Sequence, residues 1–445
     1  MWLSAARGWT PATLLGPEGG PRSERLARAA LLAVTAGTAL LVLIDFVLAP
    51  ITGHFSGVFD DFGPILAAGH AANLGADPYA LFLANWPTNM ASKLGFDYLP
   101  IVATLARPLA ALPHQVAQML WLWWILGCTV AASVLTARSV LPASWPRTAI
   151  GVAAGVLFAP ALYNLWHGQM NAVVLLSLAV AFRAWIRGDE VTCGLALGLG
   201  GVAKLAPLAL LLLLLARRWW RGAAAGGGVA VLALVGGILT LGMQRTVEWV
   251  TQVLPALERA DGWYFNQSLG GVISRLVDHS VWRVQPTLPL LQAAVTLASA
   301  ACLLAAAAMV RARDDDPDRR ALEFSTAVVA MVLAGSVAWW DDYSSLLIPL
   351  LVVVGLAARG RAGRPVMVTA GTLFLAAGVA YPALLGLGGS GWLPSTYGSA
   401  WWWPALQLDS LPAFAAAALL GALLVALGRR RGTTSPTGQA AASTA

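Results

Sequence analysis

The feature that most constrains this chain is a run of about twenty apolar residues that recurs along its length, each copy long enough to cross a bilayer as a helix. Lipid offers no partners to backbone N–H and C=O groups, so only helices and closed barrels can span it. The alternating ten-residue segments of a barrel are absent. The expected fold class is therefore all-α, a polytopic transmembrane protein of about twelve helices. Composition agrees, since 58% of the 445 residues are hydrophobic and 11% are charged.

Apolar runs and arginine patches read together place spans near 27–50, 115–137, 147–163, 169–186, 191–202, 204–217, 223–243, 287–311, 321–338, 343–358, 365–386 and 411–428. With both termini inside, the arginine patches all fall on the cytoplasmic face, as the positive-inside rule requires. That consistency makes Tyr98–Leu112 a short interfacial or re-entrant helix, and it splits 191–217 around Lys204. The chain then divides into a cytoplasmic segment 1–26, a single membrane domain 27–428 and a disordered cytoplasmic tail 429–445. The first apolar run exceeds a signal-peptide core, so a retained first helix is expected.

The net charge of +7 comes from these inter-helix patches rather than from one basic soluble face. Nucleic acid is not an expected partner; membrane lipids are. Cys128, Cys193 and Cys302 lie in apolar runs without metal-like spacing and read as small apolar filler. The sequence is silent on oligomeric state.

Ionisable groups at membrane depth are costly and are functional by default. Here they fall on one face of the assigned topology. Asp60 and Asp61 follow the first span, His167, Gln169 and Asn171 stand in YNLWHGQMN, and Lys204 interrupts GGVAKLAPL. Asn266, Gln267 and Arg275 belong to FNQSLGGVISR, and Asp341 and Asp342 to AWWDDYSS. Carboxylates there can act as general bases, and cations can stabilise a departing phosphate. Amides and aromatics suit a sugar. The set points to glycosyl transfer from a lipid-linked phosphosugar. Each residue also has an ordinary reading: helix capping for the Asp pair, a snorkelling Lys204, local ion pairing for Arg275, packing for His167, and interhelical hydrogen bonds for the amides.

The blocks DDFGPILAAGHAANLGADPY, YLPIVATLARPLAALP, HGQMNAVVLL, GLALGLGGVAKLAPLALLLLLLARRWW and NQSLGGVISR, in this order, resemble glycosyltransferase family 87 of the GT-C superfamily over roughly residues 40–350. The resemblance implies a polyprenyl-phosphate-mannose-dependent mannosyltransferase that forms α-1,2 linkages on lipid-anchored glycans outside the bacterial cytoplasmic membrane. Such enzymes invert a β-linked donor, and they use no cofactor and typically no metal. The family's catalytic acidic residue near the end of the first helix corresponds to Asp60 or Asp61, and its Asp-Phe pair matches Asp61-Phe62. Lys204 and Arg275 would hold the leaving phosphate, and His167, Gln169, Asn171, Asn266, Gln267, Asp341 and Asp342 would line the substrate site.

Two departures stand out. Trp340, Asp341, Asp342 and Tyr343 occupy a place where relatives tend to carry a tryptophan, an acidic residue and two histidines. Tyr98, Leu99 and Pro100 replace a Tyr-Pro-Pro. A transferase using polyprenyl-phosphate arabinose or glucose would show nearly the same polar set. A glycolipid transporter or flippase would instead spread ionisable groups along a path between both faces.

Overall fold

The computed structural model describes residues 22–54, 57, 59–85, 95–141, 145–258, 262–278, 289–312, 314–383 and 408–429. The N-terminal segment before Arg22, the Trp-rich stretch 390–404 and the tail after Arg429 lie outside these. The described residues form an all-α polytopic bundle, joined by one isolated β-bridge between Asn266 and Trp339. Among the described residues, seven helices are long and apolar enough to cross a membrane.

The other expected spans are helical but shorter, interrupted or too charged. The stretch near 147–163 is two helices, Trp145–Leu157 and Ala159–His167, parted at Phe158 where Pro160 starts the second. A proline N–H is missing and its ring clashes with the preceding turn, so the chain must restart there. Near 204–217 a 3₁₀ turn, Ala206–Leu210, leads into Leu211–Arg217. The Pro317–Ala334 helix opens with Asp318, Arg319, Arg320 and Glu323, more charge than a lipid-facing span carries. Pro100–Ala110 is an 11-residue helix, as its length in the sequence demands.

The largest core cluster gathers Leu178, Phe182, Trp185, Phe324, Val328, Leu347, Val352 and Leu419 from four helices. Helix Trp220–Leu241 runs along the outside, with Leu232 and Leu239 70% and 79% exposed, the apolar face that a membrane-crossing helix offers to lipid. It packs on Glu190–Ala203 through facing glycines. A Cβ on Gly194 would lie 1.8 Å from the Gly222 carbonyl oxygen, and one on Gly198 2.7 Å from that of Gly226. Small residues let two backbones touch, which is how helices associate where no hydrophobic effect drives them.

At one end of the bundle arginines form a network of ion pairs, with Arg217, Arg319 and Arg320 buried and Arg359 and Arg361 at its exposed margin. Arg319 pairs with Glu323 at 3.0 Å, and Asp318 receives Arg359 at 2.9 Å and Arg361 at 2.5 Å. Arg217 donates to the carbonyls of Arg311 and Asp314, with Trp185 and Trp219 about its guanidinium at 5.3 and 5.1 Å. The same arginines that mark topology in the sequence therefore lock helix ends together.

Candidate active site

A cavity of about 470 Å³ opens among the 95–99 segment, the start of Asn171–Arg187, the break at Lys204, the Trp249–Leu257 stretch and the 335–345 turn. Its polar wall holds Asp61, Asp97, Gln169, Asn171, Lys204 and Asp342. Leu205, Ala206, Ala209, Leu303, Met331 and Val332 form an apolar wall.

Asp60 and Asp61 precede the Phe62–Asn73 helix in a loop clamped to the end of Ala159–His167. Phe59 N–H donates to the Trp166 carbonyl at 3.1 Å and Asp61 N–H to that of His167 at 3.2 Å. Phe59 takes a left-handed φ of 50°, a conformation costly for a bulky residue unless its surroundings enforce it. Gly168 provides the space opposite. Its φ is +71°, and a Cβ there would meet the Phe59 ring at 2.8 Å and Phe62 Cβ at 2.9 Å. Trp121 Nε1 donates to the Gly168 carbonyl at 2.8 Å and closes the arrangement.

The two aspartates differ in their partners. Asp60 Oδ1 lies 2.5 Å from His167 Nδ1, and the imidazole packs on Tyr163 with centroids 4.0 Å apart. Asp61 lines the cavity. Asp60, Asp61 and His167 each offer one donor atom within 4.8 Å of the others, the spacing a cation would need. The Asp60–His167 separation is nevertheless that of a direct hydrogen bond. Two ligands of one small cation, each about 2.1 Å from it, stand about 3 Å apart in octahedral geometry.

Lys204 falls where the sequence split the helix pair. Its extended backbone (φ −149°, ψ 138°) ends Glu190–Ala203, and Pro207 two residues into the next turn prevents the helix from continuing. Its ammonium donates to Asp342 Oδ1 at 2.8 Å, and Asp341 and Asp61 also act on its charge. Asp342 is itself held, because Oδ2 accepts the Trp339 N–H at 2.8 Å. Asn171 Nδ2 donates to the buried Asp341 Oδ2 at 2.6 Å. Gln169 is 5% exposed, and its Oε1 has no hydrogen-bond partner among the described residues.

Asn266, Gln267 and Arg275 do not line this cavity and are fully buried. Asn266 Oδ1 accepts from the Ser268 and Ala338 N–H groups, at 3.1 and 3.0 Å. Gln267 Nε2 reaches the carbonyls of Tyr264 and Asp409, at 2.7 and 2.6 Å. Arg275 donates to the carbonyls of Trp263 and Asn266, both at 2.8 Å, and to Ser410 Oγ. These three build the wall against which the 336–345 turn rests.

Asp97 was absent from the sequence-derived set. Burial pushes its carboxyl up to about 6, with Lys204 acting in the opposite direction and Asp61 adding to the rise. Its signal in the sequence was faint, an acid flanked by Phe96 and Tyr98 just ahead of a proline-started helix.

The fold is thus a helical bundle with apolar spans, enclosing a cavity in which carboxylates face one lysine beside an apolar wall. The sequence model of glycosyltransferase family 87 matches residues 96–336, more than half of the chain. The chain belongs to glycosyltransferase family 87. The match leaves Asp60, Asp61, Asp341 and Asp342 outside its limits, a narrower extent than residues 40–350. No curated protein matches the chain.

Proposed function

We propose that this glycosyltransferase moves a mannosyl group from polyprenyl-phosphate mannose to a hydroxyl of a lipid-anchored glycan. The reaction takes place on the extracytoplasmic face of the bacterial cytoplasmic membrane and inverts the anomeric centre. Asp61 removes the proton from the acceptor hydroxyl as its oxygen attacks the anomeric carbon and the bond to phosphate breaks. Lys204 holds the departing phosphate, whose growing charge an ammonium stabilises best where water is scarce. The donor is a substrate, and the reading needs no cofactor.

The observation that carries the reading is that Asp61 and Lys204, 143 positions apart in the numbering, line one cavity that also has an apolar wall. A base, a phosphate-binding cation and a surface for the first isoprene units are then within reach of one lipid-linked substrate. Between the two aspartates, the His167 contact to Asp60 favours Asp61 as base.

The test is transfer of radiolabelled mannose from polyprenyl-phosphate mannose into extractable glycolipid by membranes carrying wild type or Asp61→Asn. Loss of a general base costs about 10²–10⁴-fold. A stably expressed Asp61→Asn is expected to fall in that range. Full activity in the variant would exclude Asp61 as base. A wild type active only with polyprenyl-phosphate arabinose or glucose would replace the sugar and keep the class.

A further inference from the structure

Of the carboxylates that line the cavity, Asp97, Glu258 and Asp342 have no task in the reaction above; Asp342 is held by Lys204 and the Trp339 N–H, and Asp97 stands in the polar wall. Asp97 sits on the 95–99 segment, which three contacts fix in place. Trp249 Nε1 donates to the Asp97 carbonyl at 3.1 Å, and the Tyr79 hydroxyl donates to the Tyr98 carbonyl at 2.9 Å. Gly95 backs onto Phe82 so closely that a Cβ would lie 2.4 Å from Phe82 Cα. The Asp97 carboxylate accepts no hydrogen bond from another side chain among the described residues, although the residue lines the cavity. Its one hydrogen bond is to its own backbone N–H, which leaves most of its accepting capacity unused; an under-satisfied buried carboxylate is expensive, so a rigid segment that holds one there calls for a ligand.

Lys204 alone does not account for it. The ammonium already has Asp342 at 2.8 Å, and a second structural counter-ion would only work against phosphate binding. Gln169 supplies an independent observation. It is 95% buried, it lines the same cavity, and its Oε1 is unpartnered among the described residues. A carboxylate that only accepts and an amide that both donates and accepts match the mixed hydrogen-bonding of a pyranose ring. Trp249 and Tyr98 add aromatic surface beside them.

We propose that Asp97 binds the sugar being transferred, accepting hydrogen bonds from its ring hydroxyls while Gln169 contacts the same ring. The proposal rests on the reading that Lys204 takes the donor phosphate and Asp61 the acceptor hydroxyl. A sugar bonded to the first and attacked through the second lies where both side chains reach. Asp97 interacts electrostatically with both of them. Its role is to select the sugar, not to remove a proton.

The test uses the full-length protein in lipid nanodiscs, with polyprenyl-phosphate mannose and its four monodeoxy analogues as donors. Wild type and Asp97→Asn are compared by kcat/KM. A hydrogen bond to a charged group is worth roughly 10- to 100-fold in this ratio. Wild type should lose about that factor with at least one deoxy donor. Asp97→Asn should be impaired with the parent donor and lose about two-fold or less with that same analogue, because the partner of the missing hydroxyl is already gone. A merely structural Asp97 would scale all donors equally. Equal losses in wild type and variant, or a wild type indifferent to every deoxy donor, would overturn the assignment. Should Asp97→Asn not be recovered folded, Asp97→Ser enters the same cycle. A wild type that transfers hexose from none of the donors overturns the underlying reading, and the role of Asp97 falls with it.

Discussion

Lys204 and Asp342 show how much one pair can be asked to do. Asp342 caps the turn at Trp339 with one oxygen and neutralises Lys204 with the other, so the lysine is oriented before any substrate arrives. The two side chains are 21% and 19% exposed, and removing one partner strands the other charge in a poorly solvated place. Lys204→Met is expected to lower stability by roughly 1–3 kcal/mol, read as a drop in melting temperature in detergent. Adding Asp342→Asn should recover most of that stability and none of the transfer. Recovery of both would remove Lys204 from the phosphate site. Lys204 was legible because a lysine inside an apolar run has few ordinary reasons to be there. Asp97 was not, because an acid in a loop is unremarkable until its loop is seen to be buried.

At the scale of elements, Lys204 stands at the end of a helix whose position is set by glycines. A Cβ on Gly194 would meet the Gly222 carbonyl, and one on Gly222 would lie 2.3 Å from the Glu190 carbonyl oxygen. These contacts are backbone atoms and cannot swing aside. Gly194→Ala should therefore push the helices apart, costing roughly 1–3 kcal/mol in stability and raising the donor KM as Lys204 shifts. Gly227 lies on the same outer helix with nothing within 4 Å of an added Cβ. Gly227→Ala should be neutral or stabilising by about 1 kcal/mol, since alanine is the better helix former. Equal behaviour of the two variants would mean that the close approach does not set the spacing. The glycines are plain in the sequence, but a glycine that packs and a glycine that does not look alike there.

Across the whole molecule, Arg275 ties distant parts of the chain together. It joins the 263–266 loop to Ser410 at the start of the last helix, and Gln267 reaches Asp409 beside it. Arg275→Ala is expected to lower the melting temperature and the yield of folded protein while leaving the donor KM of the folded fraction within about two-fold. A large rise in KM with unchanged stability would instead put Arg275 on the phosphate. By itself the sequence determined the solvent and the class. Long apolar runs admit only helices, and the break at Lys204 follows from the arginine pattern and Pro207. The ionisable residues of one face were also visible, since burying charge in a membrane protein demands a reason. Tertiary structure alone decided which of them meet. Asp61, Gln169, Asn171, Lys204 and Asp342 line one cavity, whereas Asn266, Gln267 and Arg275 are enclosed in its supporting wall. Hydropathy reports how deep a residue lies. Which neighbours a polar side chain finds depends on how helices far apart in the chain pack, and that is settled by glycine contacts, broken turns and buried ion pairs whose partners no local pattern names.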